Sequence, residues 1–324
     1  MTEHCNAIVA SAPGGPEVLV LTHVPMPVPG SGELLVKVAA VGVNFIESYQ
    51  RQGIYPVPFP FTPGAEAAGT VVAVGSGVHG FAVGDRIATA EGSACYAEFA
   101  IVPALKALHV PAGVPLDVAA ALPLQGMTAH YLMNSTYRVE PGQSVLLHAG
   151  AGGVGLLLTQ LLKEREARVI TTVSTEEKEE LSRVAGADEV LGYENFAEQV
   201  RELTDGDGVD VVFDGVGKDT FDGSLASLRT RGTLVLFGGS SGQVPPFDLQ
   251  RLNAGGSLTV VRPKLADYLR NPQERSWRAT EVFNAAASGH LSARIGARFP
   301  LAEAGAAHAA LQGRRTTGKV ILEP

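Results

Sequence analysis

Apolar residues alternate with polar ones, or gather in short runs, through the first third of the chain: Asn6–Ala10, Val18–Leu21, Leu34–Val41, Gly69–Val74 and Arg86–Thr89. Such runs, bounded by Pro and Gly, predict short β-strands. The breaks fall at Pro25, Pro27, Pro29 and Gly30, and again at Gly84–Asp85. Helical spacing is weak here, so this part reads as a compact, barrel-like β-domain. The texture changes near Leu116. Residues Asp117–Met133 take helical spacing, interrupted at Pro123. After Pro141–Gly142, strands and helices alternate. Strands are predicted at Ser144–His148, Arg168–Val173, Val190–Leu191, Val209–Asp214, Thr233–Phe237 and Ser257–Val261. Helices are predicted at Gly155–Ala167, Thr175–Ala185, Ala197–Thr204 and Thr220–Leu228. That alternation predicts an α/β fold with a doubly wound parallel sheet, and the Val/Ile/Leu-rich strands suit burial on both faces. Two further helices (Arg275–Ser288 and Ala302–Leu311) and a last strand (Lys319–Leu322) are expected to return to the β-domain, making it discontinuous.

Composition narrows the picture. A chain of 324 residues, 45% hydrophobic and 18% charged, has room for about two domains. Its 38 glycines and 20 prolines signal many tight turns or close approaches of backbone to a ligand. A net charge of −8 without a Lys/Arg run argues against a nucleic-acid partner. No apolar run reaches the ~18 residues of a membrane span. The polar stretch Met1–Asn6 lacks a basic-then-apolar layout, so a cytoplasmic protein is expected. Only Cys5 and Cys95 occur, which excludes a disulfide framework, a zinc ribbon and a cysteine-held iron–sulfur cluster.

The sharpest motif is Gly150-Ala151-Gly152-Gly153-Val154-Gly155, a G-x-G-x-x-G between a predicted strand and a predicted helix. In that context Gly150 allows the tight turn, Gly152 lets a pyrophosphate approach, and Gly155 lets helix and strand pack closely. The helix N-terminus, entered through Gly153 and Val154, offers unpaired N–H groups to phosphates. A glycine-rich turn without a ligand is the alternative. The second strand ends at Ser174, where an NAD enzyme would place an acidic residue, and Lys178 follows. A small neutral residue beside a cation suits a 2′-phosphate, so NADPH is the expected cofactor. Thr175 also reads as an N-cap with Glu176 and Glu177 in the first turn, and those acids would oppose a phosphate if they faced it. His148 reads as a strand-end residue, with cofactor contact as the alternative. The other histidines lack ligand spacing, and no G-x-S-x-G elbow sits at a strand–helix turn.

Gly64-Ala65-Glu66-Ala67-Ala68-Gly69, then Gly75, Gly77, Val78 and Gly84-Asp85, resemble the signature of medium-chain dehydrogenases/reductases. With Val43-Asn44-Phe45, the loop from His148 to Gly155, Phe237-Gly238-Gly239-Ser240-Ser241-Gly242 and Arg262-Pro263, the resemblance narrows to zinc-independent quinone oxidoreductases of the zeta-crystallin type. It spans essentially the whole chain. It implies a GroES-like β-barrel-type catalytic domain (1–125 and 266–324) and a Rossmann dinucleotide-binding domain (126–265), with NADPH in the cleft between them. The zinc branch's ligand positions correspond to Asn44, Ala65 and Gln125, none a normal zinc ligand, so no metal is expected. Asn44, Tyr49 and Tyr55 match the polar catalytic positions, expected to orient a substrate carbonyl and hydrogen-bond to it as it gains charge. Tyr55 to Phe61 would form a stiff apolar wall for a flat substrate.

Further cofactor contacts carried over are Thr128 on the helix bridging the domains, Tyr193 by the adenosine phosphate, Phe237, Gly238 and Ser240 at a central strand end, and the cations Arg262 and Arg314, with Arg315 an alternative to the last. Two positions depart from the family pattern: Gly215 where a serine is frequent, and Glu47 where an aspartate is. The implied function is NADPH-dependent reduction of a small quinone. Reduction of an activated alkene (an enone or alkenal) is the alternative, and a non-catalytic, crystallin-like NADPH-binding protein a third. A homodimer is implied, paired through the edge strand Ser257–Val261.

Overall fold

In a computed structural model, which describes residues 3–324, the N-terminal alternation becomes strands β1 (His4–Val9), β2 (Val20–Pro25), β3 (Glu33–Val43), β4 (Glu66–Val74) and β5 (Arg86–Thr89), and two short strands that the pattern did not announce follow, β6 (Phe99–Pro103) and β7 (Leu108–His109). Met1 and Thr2 of the polar N-terminal stretch lie outside the described residues. The strand expected to open at Val18 opens at Val20 instead, because Pro16 starts a tight helical turn over Pro16–Val18. Helix α1 (Phe45–Arg51), which hydrophobic spacing did not reveal, leaves the end of β3. The helical stretch after Leu116 is broken at Pro123 into α2 (Leu116–Ala119) and α3 (Pro123–Tyr131), and α3 widens into a π-turn over Leu132–Thr136.

Alternation then follows as β8 (Ser144–His148), α4 (Gly153–Glu164), β9 (Arg168–Thr172), α5 (Glu176–Val184), β10 (Glu189–Leu191), α6 (Phe196–Leu203), β11 (Val209–Asp214), α7 (Phe221–Ala226), β12 (Leu228–Leu236), α8 (Gln250–Ala254) and β13 (Thr259–Val261). The chain closes with α9 (Leu265–Tyr268), α10 (Pro272–Ala287), β14 (Ile295–Pro300), α11 (Ala304–Gln312) and β15 (Lys319–Glu323). One boundary differs instructively. The helix expected to run to Leu228 ends at Ala226, and Leu228 already pairs with Val209 as the first residue of β12. The register then shifts, so that Thr233 pairs with Val211, and Arg231 sits between them in the left-handed region (φ 64°).

The fold divides into two units. One holds the chain up to Leu124 together with Ala279–Pro324, and the other is Gln125–Arg278. In the first unit, among the described residues, β1 and β2 form an antiparallel pair of their own, and the other strands run in the order β14-β15-β3-β4-β5-β7, with β6 also on β3. The last strand, β15, pairs antiparallel with β3, joining the chain's end to its beginning. The interior is built from Ile8, Val41, Tyr96, Ala307 and Leu322. β14 escaped the sequence reading because it is an edge strand whose residues alternate between half-buried and exposed.

In the second unit, six parallel strands run β10-β9-β8-β11-β12-β13. Counted from β8 this is the order 3-2-1-4-5-6 of dinucleotide-binding sheets, whose ligands bind where the order reverses, beyond the carboxyl ends of the strands. The reversal lies between β8 and β11. Leu146, Ile170, Val212 and Leu234 from four neighbouring strands form the core on one face. Among the described residues, no helix is long and apolar enough to cross a membrane.

Candidate active site

The glycine loop leaves the carboxyl end of β8, at the reversal point. Gly150 N–H donates to Thr172 O (3.0 Å) and Gly152 N–H to Ala149 O (2.8 Å), closing the turn. At Gly155 a Cβ would overlap Ala149 O and the Gly150 backbone, and at Gly153 it would overlap the Gln125 side-chain amide. At Gly150 it would come within 2.7 Å of Thr171 Cβ and Ser182 Oγ. The protein's own packing therefore demands Gly150 and Gly155, whereas at Gly153 the end of the Gln125 side chain would have to move aside. Helix α4 has no side-chain cap at Gly152, so the N–H groups of Gly153, Val154 and Gly155 face outward with the positive end of the helix dipole. These residues fit a pyrophosphate.

Several of the other residues expected to contact a cofactor lie at or just beyond neighbouring strand ends. Tyr193, beyond β10, accepts a hydrogen bond from Ala149 N–H (3.2 Å) and so borders the loop. Ser174 is exposed just beyond β9, and Lys178 Nζ donates to its Oγ (3.2 Å). Thr175 caps α5, its hydroxyl accepting from Lys178 N–H. Phe237, Gly238 and Ser240 follow β12. A Cβ on Gly215 would meet the tip of the Phe237 ring at 2.9 Å, so a serine there would require that ring to shift. Arg262 is held by Leu236 O (3.1 Å) at the end of β13. Thr128 is buried in α3. Arg314 belongs to the first unit, exposed after α11 with φ 54°.

His148 is spent on structure. Asp214, wholly buried, accepts from Val216 N–H, Gly217 N–H, Thr220 Oγ1 and Ser224 Oγ at 2.8–3.0 Å. Because Ser224 gives its proton to Asp214, it accepts from His148 Nε2–H (2.9 Å), and His148 Nδ1 accepts from Thr172 Oγ1 (2.8 Å). Burial pushes the imidazole down to about 4, with Asp214 opposing, so it stays neutral. The strand-end reading holds, and both ring nitrogens are occupied within the protein.

In the first unit, α1 gathers Asn44, Tyr49 and Tyr55. Asn44 is the N-cap, and its N–H donates to Glu47 Oε2 (2.8 Å). Tyr49 and Tyr55 meet edge to face with ring centres 5.4 Å apart, and Tyr55 N–H donates to Tyr49 O (3.1 Å). Tyr49 is half-buried, and Tyr55 is exposed with Ile46 and Ile54. The far end of α1 is tied to α11. Arg51 donates to Gln312 Oε1 (2.9 Å) and to His308 Nδ1 (3.4 Å). Arg51 can only donate, so His308 Nε2 carries the proton and donates to Tyr96 Oη (3.0 Å). Burial and the Arg51 charge push His308 down to about 3.

Beneath Asn44 lies a buried charge cluster that sequence reasoning missed. Lys319 Nζ pairs with Glu66 Oε2 and donates to Asn44 Oδ1 (2.7 Å). Asn44 Nδ2 donates to Glu66 Oε2 (2.9 Å) and Gly42 O (3.3 Å). Leu124 N–H donates to Glu66 Oε1 (2.7 Å). Glu47 is buried beside them, and desolvation pushes its carboxyl up to about 7, with Lys319 opposing. The available signal was a single charge opening the apolar run Val320-Ile321-Leu322.

Comparison with known proteins follows the two units. A zinc-binding dehydrogenase family profile matches residues 153–269, and an alcohol dehydrogenase GroES-like domain profile matches residues 30–112. The chain is 44% identical over 318 residues to a quinone oxidoreductase of Pseudomonas aeruginosa, covering 97% of this chain and 98% of the relative. It is 41% identical over 329 residues to a 2-haloacrylate reductase of a Burkholderia species, covering 98% of each. The crystal structure of Escherichia coli quinone oxidoreductase complexed with NADPH aligns with a TM-score of 0.96 at 40% identity, covering 98% of this chain and 100% of that one.

The zinc in the first profile's description does not fit these residues. Asn44 spends its oxygen on an ammonium group, Ala65 has no donor, and the Gln125 amide packs on Gly153. The Lys319 charge would also repel a cation at Asn44 and Glu66. Among the described residues, no group of three or more His, Cys, Asp or Glu side chains could hold a metal ion.

Proposed function

Because this chain belongs to the quinone oxidoreductase family of the medium-chain dehydrogenase/reductase superfamily, we propose that it reduces small quinones with NADPH, by hydride transfer without a metal. The observation that carries the reading is the glycine-built, uncapped start of α4 at the reversal point of the sheet, with Ser174 and Lys178 at the neighbouring strand end. When bound, NADPH supplies the hydride. The N–H groups of Gly153, Val154 and Gly155 hold the pyrophosphate, and Tyr193 holds the loop in shape. Ser174 and Lys178 receive the 2′-phosphate. Thr128, Phe237, Gly238, Ser240, Arg262 and Arg314 complete the cofactor contacts.

Tyr49 and Tyr55 donate hydrogen bonds to the substrate carbonyl as its oxygen gains charge. Asn44 acts by orientation, since both its amide hydrogens face Glu66 and Gly42 and its N–H caps α1 through Glu47. Exposed Ile46, Ile54 and Tyr55 offer apolar surface to a flat ring. A reduced quinone needs no acid from the enzyme, because its anion is stable enough to leave and protonate in water. β13 ends the parallel sheet, and pairing of that edge with a second copy makes the homodimer of this reading. The reading places the enzyme in the cytoplasm.

A second reading has one observation in its favour, the 41% identity to a 2-haloacrylate reductase. Activated alkenes would use the same hydride and the same tyrosines. The two separate in a side-by-side assay of NADPH oxidation with p-benzoquinone, 2-chloroacrylate and an alkenal. The quinone is expected to be the fastest by at least tenfold. A faster alkene would replace the first reading with the second.

Cofactor choice is tested at Lys178. Loss of one charge-assisted contact to the 2′-phosphate costs about 1.5 kcal/mol. Lys178→Ala should therefore weaken NADPH binding roughly tenfold and leave NADH binding unchanged, measured by fluorescence titration. Equal effects on both cofactors would remove Lys178 from the phosphate site.

A further inference from the structure

Lys319 is 1% exposed, in a strand whose next three residues are apolar. A buried ammonium is costly unless it is paired, and apolar residues of similar volume serve folding as well or better. The fold alone therefore gives little reason for a lysine here. What the lysine does is specific. A lysine can only donate and a carboxylate can only accept. With Lys319 on one side and Glu66 on the other, the Asn44 amide has one orientation: Oδ1 toward the ammonium (2.7 Å), Nδ2 toward the carboxylate (2.9 Å). Gly42 makes room, because a Cβ there would overlap the Glu66 carboxylate. The Asn44 N–H is held in turn by Glu47, so the first turn of α1 is tied to the cluster through both side chain and backbone. Tyr49 stands five residues on.

We propose that Lys319 is a positioning residue, an internal cation that locks the Asn44 amide and through it sets the direction of α1 and of Tyr49. Its effect on turnover rests on the quinone-reductase reading; its effect on α1 does not. In the zinc branch, the position of Asn44 carries a metal ligand. Here a tethered ammonium takes the oxygen at that position.

The test uses the whole protein and two variants. Lys319→Met leaves the Glu66 carboxylate buried without its cation and is expected to lower Tm. Lys319→Met/Glu66→Gln removes both charges and is expected to bring Tm back to near the wild-type value. In that double variant, backbone hydrogen exchange across residues 44–51 should remain at least tenfold faster than in the wild type. Its kcat with p-benzoquinone should be at least tenfold lower, and its KM for NADPH unchanged. A double variant that does not recover Tm marks Lys319 as an ordinary structural residue and overturns the proposal. So does one that recovers Tm but lacks either the faster exchange or the lower kcat. If the wild type turns over no quinone, the proposed function fails, and the exchange across α1 alone then decides the lock.

Discussion

Gly155→Val is expected to abolish dinucleotide binding. A valine Cβ at this position would overlap Ala149 O and the Gly150 backbone, and neither can move aside as a side-chain tip could. The loop would have to part from α4, taking the N–H groups of Gly153 and Val154 away from any phosphate. Loss of those contacts should weaken NADPH binding at least ~100-fold, about 2.7 kcal/mol. The overlap should also lower Tm, since overpacking a closely packed turn costs about 1–3 kcal/mol. Gly113→Ala is the control, because a Cβ there meets nothing within 4 Å. It should bind NADPH like the wild type. A Gly155→Val protein whose NADPH affinity stays within threefold of the wild type would remove the loop from the cofactor site.

Asp214→Ala should be the most destabilising single change at the strand ends. It removes the acceptor of two backbone N–H groups and two hydroxyls, all within a buried network. Leaving several buried donors without a partner costs about 3–4 kcal/mol. Ser224 would also lose its reason to accept from His148, freeing the ring that joins β8 to β9 and α7. Urea unfolding should show that loss of stability, and the NADPH affinity should fall with it because Gly150 is built on the same strand end. Wild-type stability in Asp214→Ala would show that the network is not what holds these ends together.

Much of the parallel sheet was legible because each signal was local. Val-Leu-Leu at 145–147 followed by the glycine loop, and Val-Val-Phe at 211–213, announce strand and turn within a few residues. Short elements were harder. α1 has only the seven residues Phe45–Arg51, and it is held less by periodicity than by Asn44 and Glu47 at one end and His308 and Gln312 at the other. β14 was missed because an edge strand needs no clear apolar stripe. The candidate site was legible in the same measure. Gly150 to Gly155 and Ser174 follow adjoining strand ends, Lys178 stands in the first turn of α5, and Asn44, Tyr49 and Tyr55 gather on one short helix and the loop after it.

The charge cluster was not legible. Lys319 and Glu66 are 253 positions apart, and nothing in either stretch points to the other. Topology brings them together, by laying β15 and β4 on opposite sides of β3. That pairing also changed the role of Asn44. The residue type suggested a donor to substrate, but the geometry turns its amide hydrogens toward Glu66 and Gly42.

The most direct measurement is NADPH oxidation by purified protein with p-benzoquinone, followed at 340 nm before and after treatment with a strong zinc chelator. Quinone-dependent loss of NADPH is expected, with much slower loss of NADH and the same rate after chelation. Protein that binds NADPH but consumes none in the presence of quinones, or whose activity disappears with the metal, would contradict the proposed function.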